Sequence, residues 1–222
     1  GIRLVLFFID SLSNTNTIIA LKIHQKIKFD LVYTFDCEDA NKYGFIHYYT
    51  MYSNLFDEPT SSPIYDVIYN GSNKGRYEIL KTFILSNPQL NIWSNMIGIT
   101  TMEQKDAHIS SSSSVDYKES IKQVLRSRCI LDIIVDPKQT GLSLRVYEAV
   151  VYNKKLITNN PSIFNFPYYN PQYMKFTKDF KDIEDSFYNE NISVDYRYNG
   201  DFSPVNFIRH IRRQLCLEHY GK

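Results

Sequence analysis

The chain opens on an apolar run, "IRLVLFFID", with almost no polar preamble, the pattern of a buried strand. "TNTIIALKIHQKI" then places apolar residues at Ile18, Ile19, Leu21, Ile23 and Ile27, which predicts a helix. "FDLVYTFD" reads as a strand, "CEDANKYG" as a short helix stopped by Gly44, and "FIHYYTMY" as a third strand. Strand–helix alternation of this kind predicts parallel α/β structure. Two prolines among small polar residues make "DEPTSSP", from Asp57 to Pro63, the best linker. After it the rhythm restarts. "IYDVIYN" predicts a strand, "GSNKG" a loop, and "RYEILKTFILSN" a helix with Ile79, Leu80, Phe83 and Ile84 inward. "LNIWSNMIGIT" holds one or two short strands, and "HISSSSSVD" is a low-complexity loop. Asp116 followed by Glu119 marks a capped helix start before "YKESIKQVLRSR". "CILDIIV" has the continuous apolar character of a central parallel strand, apart from Asp132, which needs a partner or a strand-end position.

"QTGLSLRVYEAVVYNKKLITNN" supplies a loop, a helix and a further strand. "NFPYYNPQYMKFT" is turn-rich and ends in a short strand, and "FKDIEDSFYN" reads as a helix. The last helix, "SPVNFIRHIRRQLCLEHY", has Ser203 as N-cap, Pro204 at its first position and an apolar stripe of Val205, Ile208, Ile211 and Leu215. The pattern therefore divides into an α/β segment over residues 1–58, a second α/β segment over 59–202 and a C-terminal helix over 203–222. Only about half of a usual doubly wound domain precedes the linker, so the first segment reads as incomplete.

Composition narrows the class. Of 222 residues, 43% are hydrophobic and 22% charged, which suits a packed core rather than disorder. A net charge of +1 creates no global field that would select nucleic acid or membrane. Cys37, Cys129 and Cys216 form neither a metal-type pair nor a disulfide framework. Reduced thiols point to a cytoplasmic chain. The first apolar run falls short of the ~20 residues a spanning helix needs, so contact with the inner membrane would be peripheral. Arg209, His210, Arg212 and Arg213 form a basic cluster that reads either as a solvated helix face or as a contact for anionic lipid.

In open α/β sheets ligands bind beyond the carboxyl ends of the strands, and two loops there carry chemistry. "NGSNKGR" joins Asn70, Gly71, Lys74 and Arg76: glycines that let backbone approach a ligand, then full positive charges before a helix N-terminus. In "DPKQTGLSLRVYE", Gln139, Gly141 and Ser143 precede Arg145. A cation near a helix start gains nothing from the dipole unless it faces an anion. Glu148, three residues on, shares its helix face. The pair reads either as a surface ion pair or as a diphosphate contact with a ribose acceptor beside it. Asp36 and Asp39 follow the second strand and read either as acids facing a cleft or as N-cap and first-turn acid of the short helix. Asp10 also ends a strand. No D-x-D metal motif occurs.

"DLVYTFDCEDANKYG", "YNGSNKGR", "SRCILDI", "QTGLSLRVYEA", "KKLITNN" and "FPYYNP" occur in the same order in bacterial lipopolysaccharide, capsule and exopolysaccharide synthesis proteins, which this chain resembles from Asp30 to Thr177. The resemblance implies a GT-B glycosyltransferase: two Rossmann-like domains, a partial acceptor-side one and a donor domain holding a nucleotide sugar. It implies donor-diphosphate contacts from Gly71, Lys74 and Arg76 and from Gln139, Gly141, Ser143 and Arg145, with Asn70 as a lesser polar contact and Glu148 on the ribose. Glu148 matches the last acid of a two-glutamate pattern. The first acid's position is Thr140, a departure that leaves the stereochemistry open. The expected partners are a nucleotide sugar and a glycan or lipid-linked acceptor, with no nucleic acid. No cofactor and no metal are expected. A non-catalytic sugar- or nucleotide-binding module, a sugar-nucleotide epimerase and a scaffold are the other classes compatible with this framework.

Overall fold

A computed structural model describes residues 2–12, 15–56, 62–107, 109–111, 115–136, 139–181, 183–189 and 192–216. Most of the linker read from the sequence, at 57–61, and the centre of the serine run, at 112–114, lie outside the described residues. The chain folds as two compact units. The first comprises 1–53, 136–144 and 199–222, and the second 54–135 and 145–198. The C-terminal helix, set apart in the sequence reading, belongs to the first unit.

The first unit is a three-stranded parallel sheet, β1 (Val5–Phe8), β2 (Leu31–Thr34) and β3 (Ile46–His47), in that order. Helix α1 (Thr15–His24) connects the first two strands, and α2 (Cys37–Tyr43) the second and third. Sequence chemistry sets both ends of α2. The Asp36 carboxylate accepts from the free amides of Glu38 and Asp39, and Gly44 closes the helix at φ 69°, where glycine carries no Cβ penalty. Adjacent residues of a strand point to opposite faces. Phe7 accordingly meets Phe207 of the last helix, and Phe8 meets His24 of α1.

That last helix, α8 (Pro204–Cys216), starts as expected, with the Ser203 hydroxyl accepting from the amide of Asn206 at 3.2 Å. Its inward face is corrected. Val205 and Ile208 are more than half exposed, and Phe207 is the residue that packs, against Phe7, Tyr33 and Tyr48. The sheet surface is itself aromatic, and an aromatic ring one position away from the aliphatic stripe buries more area against it.

The second unit is a five-stranded, fully parallel sheet in the order β5 (Ile92–Ile97), β4 (Tyr65–Ser72), β6 (Ser127–Asp132), β7 (Lys155–Thr158), β8 (Met174–Phe176). The chain adds β5 on one side of β4, then crosses to build β6, β7 and β8 on the other, which leaves a topological switch point between β4 and β6. Helices α3 (Tyr77–Ser86), α4 (Thr101–Ala107), α5 (Tyr117–Leu125) and α6 (Leu144–Val151) and a 3₁₀ turn (Pro161–Asn165) lie in the connections, and α7 (Asp185–Asn189) follows β8. α5 starts at the expected cap, Asp116 accepting from the amide of Lys118. β4 runs two residues beyond its expected end at Asn70, so Gly71 and Ser72 belong to the strand and pair with Met96 and Ile97 of β5. The helix expected from "FKDIEDSFYN" is confined to α7.

Leu80 and Phe83 of α3 are fully buried in one cluster with Val67, Leu131 and Ile157 from three strands. Truncation there removes transfer free energy and leaves a cavity. Phe83→Ala should therefore cost about 3–5 kcal/mol, read as a lowered urea midpoint at unchanged m-value.

Candidate nucleotide site and acceptor-side cavity

At the switch point of the second unit, one side chain joins the two strand ends. Arg145, in the first turn of α6, donates through Nη2 to the main-chain oxygen of Asn70 on β4. Its Nη1 lies 3.6 Å from the carboxylate of Asp132 at the end of β6. The guanidinium also lies over the Tyr69 ring, 5.1 Å from its centroid, in cation–π contact. Asp132 is fully buried, and Thr158 of β7 donates its hydroxyl to it at 2.8 Å. The acid that looked out of place in an apolar strand thus has both a strand-end position and partners. Arg145 remains 19% exposed, a fixed cation at the crevice.

Gly71 makes this arrangement possible. A Cβ there would sit 2.2 Å from Nη2 of Arg145. The glycine therefore serves close packing of a guanidinium on backbone, at an ordinary φ. The neighbouring Asn70 side chain is drawn into the sheet, accepting from Asn95 and donating to Ser120, both at 2.8 Å. Beyond β4 the turn passes through Lys74 at φ 38° and Gly75 at φ 85°. Arg76 sends Nε to the carbonyl of Ile133 at 2.7 Å, a second arginine bridging from the β4 side to the chain leaving β6. Lys74 is exposed.

Glu148 lies one turn along α6 from Arg145 and is buried, with the Tyr117 hydroxyl donating to it at 3.1 Å. Burial pushes its carboxyl up to about 7; the Arg145 charge and the Tyr117 hydrogen bond oppose the shift, and Asp132 reinforces it. The surface ion pair considered from spacing does not form: Arg145 pairs with Asp132 and Glu148 with Tyr117.

The other half of the expected donor set falls in the first unit. Residues 136–144 fold there, on the amino end of α2. The Asp36 carboxylate accepts from the amides of Glu38, Asp39, Thr140 and Gly141 at 2.7–3.1 Å, and from the Thr140 hydroxyl at 2.5 Å. Asp36 is 1% exposed. Five donors occupy its lone pairs, so the geometry makes it a cap and loop anchor, where a general base needs a lone pair facing a substrate hydroxyl. Asp39 is buried and accepts from the Leu12 amide at 2.8 Å; burial is the main cause of its raised pKa. Gly141 lies against Phe35, whose ring carbon Cε2 would be 2.1 Å from an added Cβ. Gln139 turns its amide back on its own loop, to the Gly141 carbonyl at 3.3 Å.

Gln139 and Ser143 nevertheless line an opening. With Ile9, Asp10, Phe35 and Leu142 they border a cavity of about 390 Å³ within the first unit. Asp10 is exposed there, its Oδ1 accepting from the Ser11 amide at 3.0 Å. The sequence marked Asp10 only as an acid ending a strand.

This architecture is that of the GT-B glycosyltransferases: parallel Rossmann-like sheets in two α/β units. Two solved structures share it. Phage T4 BGT in complex with UDP and Mn²⁺ superposes with a TM-score of 0.52 at 13% identity, covering 96% of this chain and 72% of that one. Anabaena Alr3699/HepE in complex with UDP and glucose gives a TM-score of 0.56 at 13% identity, covering 96% and 71%. No protein-family model matches the chain, and no curated protein is similar to it in sequence.

One expectation is corrected by these neighbours. The sequence reading expected no metal, yet the phage protein is in complex with both UDP and Mn²⁺, so the fold is compatible with a metal. Among the described residues no group of three or more His, Cys, Asp or Glu side chains is arranged to hold one. The acids nearest the switch point, Asp132 and Glu148, are buried and partnered. They do not by themselves form a metal centre.

Glu148 also sets a pH dependence. Its carboxyl titrates near 4.5 when unperturbed and at about 7 in the fold, so the folded state keeps the proton longer. Its contribution to stability is fully present below about 4.5 and is lost as pH rises through about 7, a change on the order of 3 kcal/mol. Glu148→Gln keeps an acceptor for Tyr117 and removes that titration. Urea unfolding at pH 4.5 and pH 8 should show the variant gaining on the wild type by that order at the higher pH.

Proposed function

We propose that this chain is a glycosyltransferase that takes a sugar from a UDP-sugar donor, the nucleotide being held by the second unit at the β4–β6 switch point. The observation that carries the reading is the Arg145 guanidinium fixed over Gly71 at that point, in a fold shared with two UDP complexes. As the glycosidic bond to the diphosphate breaks, negative charge grows on the leaving group, and pre-positioned cations and helix N-termini stabilise it. Arg145, Arg76 and Lys74 supply the charges and the start of α3 its partial positive charge, the Tyr77 amide there being capped by Asn73. Asn70 shapes the strand end beneath them. Glu148 accepts from a ribose hydroxyl when ionised.

Acceptor activation is assigned to the first unit. Asp10, which lines the 390 Å³ cavity, is our candidate for the acid that takes a proton from an acceptor hydroxyl. Gln139 and Ser143 offer the cavity hydrogen-bonding groups for a polyol. The ordered sequence resemblance supports a bacterial surface glycan (lipopolysaccharide, capsule or exopolysaccharide) as the acceptor, with the chain in the cytoplasm.

A thermal-shift series with UDP, GDP, CMP and dTDP tests the donor. UDP should raise the midpoint most, and no response to any nucleotide would remove the reading. Gly71→Ala tests the site without deleting a charge. The added methyl meets Arg145 Nη2 and the Tyr69 hydroxyl, and moving the guanidinium weakens its pairing with the buried Asp132, so the apo protein should lose up to about 3–5 kcal/mol. UDP affinity should fall by roughly 10-fold or more, the value of one misplaced charge-assisted hydrogen bond. For Asp10→Asn, donor turnover with acceptor should drop by about 10²–10⁴-fold while UDP binding stays unchanged. Turnover without acceptor would favour the epimerase class instead.

A further inference from the structure

The amino-terminal edge of the five-stranded sheet carries charge that the nucleotide reading does not use. The parallel strands β6 and β7 begin there with Ser127 and Lys155. A cavity of about 360 Å³ opens beside them within the second unit, bordered by Ser127, Arg128, Asn153, Lys154, Lys155 and Ser193. Its described lining residues include the cations Arg128, Lys154 and Lys155 and no Asp or Glu. β6 is 6 residues long. At a rise of about 3.3 Å per residue, this edge lies roughly 17 Å from Asp132 and the switch point.

Lys154 and Lys155 are only 6% and 4% exposed. Lys154 donates from Nζ to the main-chain oxygens of Leu125 and Ser127, both at 2.8 Å. An ammonium has three N–H donors, and among the described residues the third of Lys154 meets no acceptor. Burial alone lowers its pKa, to about 8, so the charge persists at pH 7. Lys155 donates to the Phe187 carbonyl at 2.6 Å, with its charge over the Phe187 ring. Arg128 stands beside them, its Nε 3.6 Å from Asp66 in a partly exposed pair. Capping the last turns of α5 and α7 accounts for the orientation of the two lysines. It does not account for three cations gathered around an open volume, since carbonyls carry only partial charge and leave the buried full charge of Lys154 to be met.

An anion in the cavity supplies that countercharge, and ammonium groups beside a guanidinium match a phosphate. The volume exceeds what a bare phosphate fills. The Asn153 Oδ1 accepts from the Tyr196 amide at 3.1 Å, which leaves its NH₂ to donate, and the Ser193 hydroxyl lies on the same rim. Such groups suit a hydroxylated body. Tyr188, the aromatic residue of the lining, is 1% exposed and presents no ring face to a base, which argues against a second nucleotide. We propose that this cavity binds a small phosphorylated polyol, a sugar phosphate, at a site separate from the switch point. It shares no residue with the donor or acceptor assignments, so it stands or falls separately from the nucleotide reading.

The test is calorimetric titration of the whole chain at pH 7 with glucose 1-phosphate, inorganic phosphate and glucose, each up to about 10 mM. Glucose 1-phosphate should bind, inorganic phosphate should bind roughly 10-fold more weakly, and glucose should give no signal. Arg128→Gln should weaken the sugar phosphate about 10-fold, the value of one charge-assisted hydrogen bond. Its melting midpoint should hardly move, because the bridge to Asp66 is long and partly exposed. Lys154→Met should weaken binding at least as far. It also leaves the Leu125 and Ser127 carbonyls without their donor, so should it fail to fold, Arg128→Gln alone decides. Lys74→Gln, at the other end of the strands, should leave the titration unchanged. That control needs no UDP response, so a failed nucleotide reading does not obscure the result. Four outcomes would overturn the proposal: no binding of glucose 1-phosphate, binding unaltered in Arg128→Gln, binding lost in Lys74→Gln but kept in Arg128→Gln, or inorganic phosphate binding as tightly as the sugar phosphate. The third would place the anion at the switch point, and the fourth would remove the sugar from the ligand.

Discussion

A buried carboxylate has to be compensated, and in the larger unit that requirement shapes the crevice. Asp132 ends the central strand with no exposure to water, where an isolated charge would be untenable. Arg145 answers it from the next helix, and in doing so reaches the main-chain oxygen of Asn70 on the neighbouring strand. A single guanidinium thereby links β4, β6 and α6 at the point where strand order reverses. The requirement propagates outward. Position 71 must lack a side chain, Tyr69 lends its ring face beneath the cation, and Thr158 completes the shell of Asp132. A cation immobilised by such a shell loses little entropy on meeting an anion, which is what pre-organisation means for a diphosphate site.

The smaller unit solves a comparable problem with backbone in place of a cation. Asp36 is buried and ionisable, and amides from two distant segments satisfy it: the first turn of α2 and the loop at 140–141. That carboxylate holds residues 136–144 in the first unit although β6, just before them, and most of α6, just after, belong to the second. The loop glycine is as constrained as Gly71, here by the Phe35 ring. Asp10 lies two residues beyond the end of the first strand, exposed, and borders the cavity that Gln139 and Ser143 also line.

Apolar faces divide the same way. The five-stranded sheet packs against helices whose apolar residues reach it, Leu80 and Phe83 among them. In the three-stranded unit, aromatic rings cover the sheet, and aliphatic residues of α1 and α8 are left facing outward. Among the described residues no helix is long and apolar enough to cross a membrane.

The sequence by itself determined the parallel α/β class, the position of most strands and helices, and the helix caps at Asp116 and Ser203, with a cap as one of two readings of Asp36. Those features rest on local spacing and on one side chain bonding a nearby amide, which a linear pattern records. It also pointed to Gly71, Arg145 and Glu148, through the oddity of a cation at a helix start. Only the tertiary structure decided what each residue answers to. Arg145 is matched to Asp132 and Asn70, Glu148 to Tyr117, and Asp36 to a loop more than a hundred positions away. The same holds for α8, where periodicity predicted the helix and its apolar stripe, yet Val205 and Ile208 of that stripe face outward. Periodicity states that a face is apolar; which face is buried depends on the rings waiting on the sheet, and those come from strands remote in sequence.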